Sequence, residues 1–246
     1  GVERLVSRED YEQKHGKGDF DGYWGIWDEP FLQFMGEELS ATTEPFFATL
    51  FTLSSHHPFV VPEQYAATLP AGYTKIHKDV AYDDMAFRRF FERFGREEWF
   101  RRTIFVFVAD HVSSEKFDPA TREYPGNMHI IGFLYTPDGA LHGRIGEVSQ
   151  QLDIMPTLLG LTGNREPYFA FGRDVLNEPE RPHWSVSYDG MFRAVTDGGV
   201  IAFDEERDAA STEPAGSQAD SLLSQFRALV QQYYTRIERK NYTAHD

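Results

Sequence analysis

With 246 residues, 41% hydrophobic and 15% aromatic, the chain has the material for one large α/β domain, or one domain plus an appendage. Its net charge of -15 argues against general nucleic-acid binding, which needs a basic footprint, and against docking on anionic lipid by charge alone. Without cysteine there is no disulfide framework and no thiolate metal ligand, and no stretch approaches the roughly 18 consecutive apolar residues of a membrane-spanning helix.

Residues 1–22 are polar and Gly-rich, a surface lead-in. Gly1-Val2-Glu3-Arg4 has neither the basic nor the apolar region of a signal peptide, and there is no initiator Met; the chain is expected to be a fragment of something longer. Asp28 reads as an N-cap with Pro30 in the first turn, opening a helix to about Leu39 that buries Phe31, Phe34 and Leu39. After the break at Glu44-Pro45, Phe46 to Leu53 reads as a buried strand, ending in Ser54-Ser55-His56-His57-Pro58-Phe59. A long helix is expected from Asp79 to Phe94. Val80, Asp83/Asp84, Phe87, Phe90/Phe91 and Phe94 form its stripe, with Gly95 as C-cap.

Thr103 to Val108 is a run of β-branched and aromatic residues, the signature of a strand buried on both faces inside a parallel sheet. It stops at Asp110-His111, an acid and an imidazole that are costly to bury without partners. In open α/β sheets, ligands sit at the carboxyl ends of strands. The pair can offer one hard oxygen and one nitrogen to a divalent metal. A plainer reading is an aspartate capping the next loop beside a partly exposed histidine. The strand, helix, strand order from Phe46 to Val108 implies a β-α-β crossover. Two adjacent parallel strands would bring the His56 and Asp110-His111 loops to one sheet edge.

A polar loop, Val112 to Met128, is long enough to suggest function. His129 to Tyr135 is a third strand, with His129 structural, and Gln151 to Gly160 a short helix. From Trp184 the pattern alternates, with turns at Asp189-Gly190 and Asp197-Gly198-Gly199, a β-meander. Residues 204–220 read as an acidic connector and Ser221 to Lys240 as a terminal helix. This gives a domain over 1–205 (central sheet about 20–180, meander about 184–205) and an appendage over 206–246.

Four stretches carry a family resemblance over roughly residues 20–200: Trp24-Gly25-Ile26-Trp27-Asp28-Glu29, Phe46 to Phe59, Phe107-Val108-Ala109-Asp110-His111, and Gln151 to Leu159 with its Gln-x-Asp-Ile-x-Pro-Thr-Leu-Leu pattern. Together they resemble the C-terminal part of the extracellular catalytic domain of lipoteichoic acid synthase-type phosphoglycerol transferases, in the alkaline phosphatase/sulfatase superfamily. The resemblance implies an α/β fold: part of a sandwich with a mainly parallel sheet and flanking helices, then an antiparallel meander and a C-terminal helix. It implies that Asp110 and His111 bind a divalent cation, usually manganese, with magnesium or zinc as alternatives. It places His56 near the substrate phosphate or leaving group, on the register of its His-x-Pro-Phe segment.

The implied reaction is metal-dependent transfer of a phosphoglycerol-type group through a phospho-threonine enzyme, on a lipid or cell-envelope polymer at the extracytoplasmic face of a bacterial membrane. The nucleophilic Thr, a Glu ligand and the membrane helices of the family lie upstream of the matched segments. The chain alone is therefore expected to be inactive and to travel with that N-terminal part. Rival readings are a sulfatase, phosphonate hydrolase or phosphoethanolamine transferase on the same fold, or a catalytically silent envelope module that binds lipid or protein.

Overall fold

A computed structural model describes residues 2–204, 206–207, 209–213 and 217–243. They form two compact units, residues 1–142 and 143–246.

In the first unit, α1 (Arg8–His15) is opened by a capping box: Ser7 accepts from the Glu9 amide, and the Asp10 carboxylate accepts from the Ser7 amide at 2.8 Å. α2 (Asp28–Ser40) and α4 (Ile76–Phe94) pack together, with the short α3 (Glu63–Ala66) between them in sequence and α5 (Glu98–Arg101) after them. The core is aromatic: Leu32, Ala86, Phe90, Phe94, Trp99 and Phe100 are buried, with Phe46, Leu50, Phe87, Phe91 and Phe105 packed against them. The stripe on α4 follows the helical period, but it runs through Asp79, Tyr82, Ala86, Phe90 and Phe94. Val80, expected on it, is exposed.

β1 (Phe105–Val108) pairs antiparallel with β2 (Gly132–Tyr135), Phe105 opposite Tyr135 and Val108 opposite Gly132. Phe105 and Phe107 lie against Phe91 and Phe87 of α4, with ring centroids 5.6 and 5.2 Å apart. Val108 is exposed, so β1 is covered on one face rather than two. The strand expected over Phe46 to Leu53 is an extended segment without strand pairing among the described residues. Phe46 and Leu50 pack into the core, while Phe47 is 85% and Phe51 65% exposed. The sheet described in this unit is thus an antiparallel pair, and the crossover expected between two parallel strands is not formed. The physical reason is that an apolar run fixes which side chains are buried, not which backbone supplies the hydrogen bonds.

In the second unit, a 3-10 turn (Gln151–Asp153) leads into α6 (Ile154–Leu161). The meander forms as expected, β3 (Trp184–Tyr188), β4 (Phe192–Thr196) and β5 (Gly199–Asp204), and a fourth strand, β6 (Ala209–Glu213), pairs on β5. Part of the connector expected over 204–220 is therefore a sheet edge. Its mostly exposed Ala-Ala-Ser-Thr-Glu sequence shows no apolar alternation because the backbone ladder holds it. Residues 205, 208 and 214–216 of that stretch lie outside the described residues. α7 (Ser217–Arg239) lays Phe226 and Val230 on Phe192, Ala194 and Ile201 of the meander.

Candidate functional site

β1 ends at Val108, two residues before Asp110. The Ala109 amide still donates to the Ile131 carbonyl at 3.1 Å, and then the ladder stops and the chain turns outward. The Asp110 Oδ1 accepts the His111 amide at 2.8 Å, which leaves Oδ2 directed toward the imidazole. His111 Nδ1 lies 2.8 Å from the Val112 carbonyl. A carbonyl only accepts, so this nitrogen carries the proton and Nε2 carries the lone pair of the neutral ring. Nε2 is 3.4 Å from Asp110 Oδ2, and both side chains are more than half exposed.

An oxygen and a nitrogen base so placed match two ligands on one cation. Donors about 2.1 Å from a shared ion lie roughly 3.0–3.5 Å apart, from octahedral to tetrahedral angles. The donor set therefore fits a divalent metal, as two of its ligands. The loop beyond is tethered: Glu115 accepts the Ile76 amide at the start of α4 at 3.0 Å, and Phe117 stacks on Tyr73 with centroids 4.5 Å apart.

His56 lies on a separate loop built by Asp28. The Asp28 carboxylate accepts the Leu53 and Ser54 amides, both at 2.9 Å, while its own amide donates to the Ser54 hydroxyl at 3.0 Å. Asp28 is thus the first residue of α2 and not its N-cap, and its side chain serves the neighbouring segment. A tight turn follows, the Phe59 amide donating to the His56 carbonyl at 3.0 Å, with Phe59 at φ +60°. The His57 carbonyl accepts twice: from Trp24 Nε1 at 2.8 Å and from His56 Nδ1 at 2.9 Å. Trp24 and His56 rings lie 4.1 Å apart. With Nδ1 so engaged, His56 offers Nε2 to a ligand over an indole wall. His57 offers its backbone, and its ring lies against Phe59. His129 closes a 3-10 turn through its amide to the Gly126 carbonyl.

The three candidate residues thus fall into two groups, Asp110 with His111 and His56 with Trp24. α4 also carries two acids whose setting the sequence did not disclose. Asp79 is 1% exposed, and neither carboxylate oxygen has a hydrogen-bond partner. Burial, then the charge of Glu115, pushes it up to about 7. One turn later Asp83 has its Oδ1 buried without a hydrogen-bond partner. Burial, then the Asp28 charge, pushes it up to about 8. Burial also raises Asp28, opposed by the Leu53 and Ser54 amides that donate to it. The one signal in the sequence was position: Asp83, and Asp79 four residues before it, fall where the apolar stripe should be.

A protein-family model described as Sulfatase matches residues 1–164. "Lipoteichoic acid synthase-like YvgJ" of Bacillus subtilis is 25% identical over 212 residues, 78% of this chain and 34% of the relative. "Lipoteichoic acid synthase 1" of the same organism is 27% identical over 174 residues, 63% of this chain and 27% of the relative. The chain therefore spans about a third or less of these relatives' length. The crystal structure of the lipoteichoic acid synthase LtaP from Listeria monocytogenes matches with a TM-score of 0.67 at 20% identity, over 91% of this chain and 62% of that one. The chain belongs to the sulfatase family, and its α/β fold is of the lipoteichoic acid synthase type.

Proposed function

We propose that this chain supplies the Asp110-His111 part of a divalent-metal site and the His56 wall of a phosphate pocket. The enzyme it belongs to transfers a phosphoglycerol-type group, taken from a phosphoglycerol-bearing lipid or envelope polymer at the extracytoplasmic face of a bacterial membrane. The carrying observation is the 3.4 Å approach of His111 Nε2 and Asp110 Oδ2, with the other ring nitrogen on a carbonyl and the other carboxylate oxygen on an amide. Support for the substrate class comes from the relatives named as lipoteichoic acid synthases.

When bound, a divalent ion, manganese by the resemblance, supplies charge against phosphoryl oxygens and activates a hydroxyl. Asp110 offers Oδ2 and half the neutralising charge; His111 is held in the tautomer that leaves Nε2 basic. His56, steadied by Trp24 and the His57 carbonyl, presents Nε2 as a donor to a phosphate oxygen or a leaving alkoxide when protonated. Two protein donors hold a divalent ion weakly. We therefore assign the nucleophilic threonine of a phospho-enzyme step, the further Glu ligand and the membrane anchor to parts of the parent protein beyond this chain, and expect no turnover from the chain alone. Among the described residues no helix is long and apolar enough to cross a membrane.

Manganese titration by electron paramagnetic resonance and calorimetry, on the chain and on the parent, tests the assignment. Asp110→Asn and His111→Ala should each abolish the weak site of the chain and cut parent turnover on a phosphoglycerol lipid by at least about 100-fold, the loss of roughly 2.7 kcal/mol. Unchanged manganese affinity in both variants, or turnover by the chain alone, would sink it.

A further inference from the structure

α4 begins without a cap of its own. Lys75 stands before Ile76 and makes no side-chain capping bond, since an ammonium has no acceptor to give. The acceptor comes from 39 residues further along the chain: Glu115 Oε2 accepts the Ile76 amide at 3.0 Å. A carboxylate there also faces the positive end of a 19-residue helix. Glu115 lies on the loop that leaves the Asp110-His111 pair, one short turn of chain beyond His111.

Phe117 makes a second attachment. Its ring stacks on Tyr73, with centroids 4.5 Å and planes 12° apart, and meets His77 edge-on at 5.8 Å. His77 is itself pinned, its Nδ1 accepting the Thr74 amide at 3.2 Å. Gly72 lets the chain pass this ring, because a Cβ there would fall 2.3 Å from the His77 Cβ. The attached segment is braced from within: the Glu115 amide donates to Ser113 Oγ at 3.0 Å, and the Phe117 amide to the Glu115 carbonyl at 3.2 Å.

Asp110 and His111 therefore lie between two held ends. Ala109 is held by the Ile131 carbonyl at 3.1 Å, and Glu115 by the start of α4. Both side chains of the pair are more than half exposed, so burial does not fix them. They are aligned by bonds between neighbours in sequence, Asp110 Oδ1 on the His111 amide and His111 Nδ1 on the Val112 carbonyl. Such bonds form for one course of the backbone from Asp110 to Val112. A short span with both ends held keeps to that course at little entropic cost.

We propose that Glu115, backed by Phe117 on Tyr73, is a positioning residue for the Asp110-His111 pair. It fixes the far end of the loop on α4, and so holds His111 in the tautomer that leaves Nε2 beside Asp110 Oδ2. The consequence for a metal rests on the reading of Asp110 and His111 given above; the attachment of the loop to α4 does not.

Nitrogen-15 NMR of the 246-residue chain reads the attachment with no metal added. In Glu115→Ala the order parameters of the Ser113, Lys116 and Phe117 amides should fall from about 0.85 to below about 0.6. The nitrogens of the neutral His111 ring should lose their Nδ1–H signature in the same variant. Glu115→Gln, whose amide oxygen still accepts from Ile76, should keep the wild-type spectra. Tyr73→Ala, which removes the stack and leaves the cap, should reproduce part of the loss. Manganese titration by electron paramagnetic resonance then reads the consequence: about tenfold weaker binding in Glu115→Ala, and binding within about twofold of the wild type in Glu115→Gln. An unchanged His111 ring spectrum in Glu115→Ala overturns the proposal. Equal losses of manganese affinity in the Ala and Gln variants also overturn it, since the charge of Glu115 and not its cap would then be acting. Affinity that falls in Asp110→Asn but not in Glu115→Ala has the same force. If Glu115→Ala fails to fold, Tyr73→Ala decides on the same spectra. If the spectra change as expected while manganese affinity is unmoved even in Asp110→Asn, the attachment stands and the metal reading falls.

Discussion

Asp28 accepts two amides of a segment that makes no strand pairing of its own among the described residues. Leu53 and Ser54 donate to it across separations of 25 and 26 residues in sequence, in a partly or fully buried setting. A buried N–H left without an acceptor costs about 1–3 kcal/mol. Asp28→Ala should therefore destabilise the chain by about 2–5 kcal/mol in urea unfolding at pH 6, whereas Asp28→Asn, which keeps one acceptor oxygen, should cost less than half of that. Equal losses for the two variants would show that the side chain matters for its packing and not for its acceptors. Nothing local in Trp-Asp-Glu-Pro announces this role: the pattern is that of a helix start, and the helix does start there. The acceptors became visible only when a segment distant in sequence came alongside. Asp110 and His111 were legible for the opposite reason. Adjacent in sequence at a strand end, they needed only the turn after β1 to bring them together.

At the level of elements, the contact of α2 with α4 is made possible by a glycine. A Cβ at Gly36 would fall 2.1–2.5 Å from three carbons of the Phe94 ring, and that ring is packed against Phe90 and Trp99, with centroids 5.3 and 6.1 Å away. Gly36→Ala gains helix propensity worth about 1 kcal/mol but must displace a packed aromatic side chain, at about 1–3 kcal/mol or more. Sterics should win: a lower urea midpoint with an unchanged denaturant slope is expected, and a rise in the midpoint would show that the interface yields. Helices and hairpins were readable because their information is local. The period on α4 and the Asp-Gly and Asp-Gly-Gly turns of the meander each fix their own geometry. Phe46 to Leu53 was not, because Phe-Phe-Ala-Thr-Leu-Phe-Thr-Leu states an extended apolar run and leaves its backbone partner unspecified. In the structure one face is covered by the core, and Phe47 and Phe51 are left to solvent. β6 shows the converse, a strand held by its ladder with little side-chain signal.

For the molecule as a whole, the protonation of buried acids sets the pH range in which the fold is strongest. Asp79 and Asp83 are pushed up to about 7 and about 8, so the folded chain binds protons that the unfolded chain releases above about pH 4. Their contribution is complete below about pH 4 and is lost progressively from there up to about pH 7 for Asp79 and about pH 8 for Asp83, each group removing up to about 1.4 kcal/mol per pH unit in that window. Glu38 acts in the opposite sense. Hydrogen bonds from Lys14 and Arg4 hold it below its ordinary value, so its contribution is present above about pH 4.5 and fails on acidification. The two trends cross on the acid side of neutrality. The urea midpoint should therefore peak near pH 4–5 and fall steadily from pH 5 to 8, and Asp79→Asn with Asp83→Asn should flatten that fall. A net charge of -15 offers a competing cause, repulsion across the surface. Salt separates the two, because at 0.5 M or so exposed charges are screened within about 5 Å while buried groups are not. The fall between pH 5 and 8 should survive in high salt for the wild type and be absent from the double variant; a fall that disappears with salt would assign it to the surface and remove the buried acids from the account.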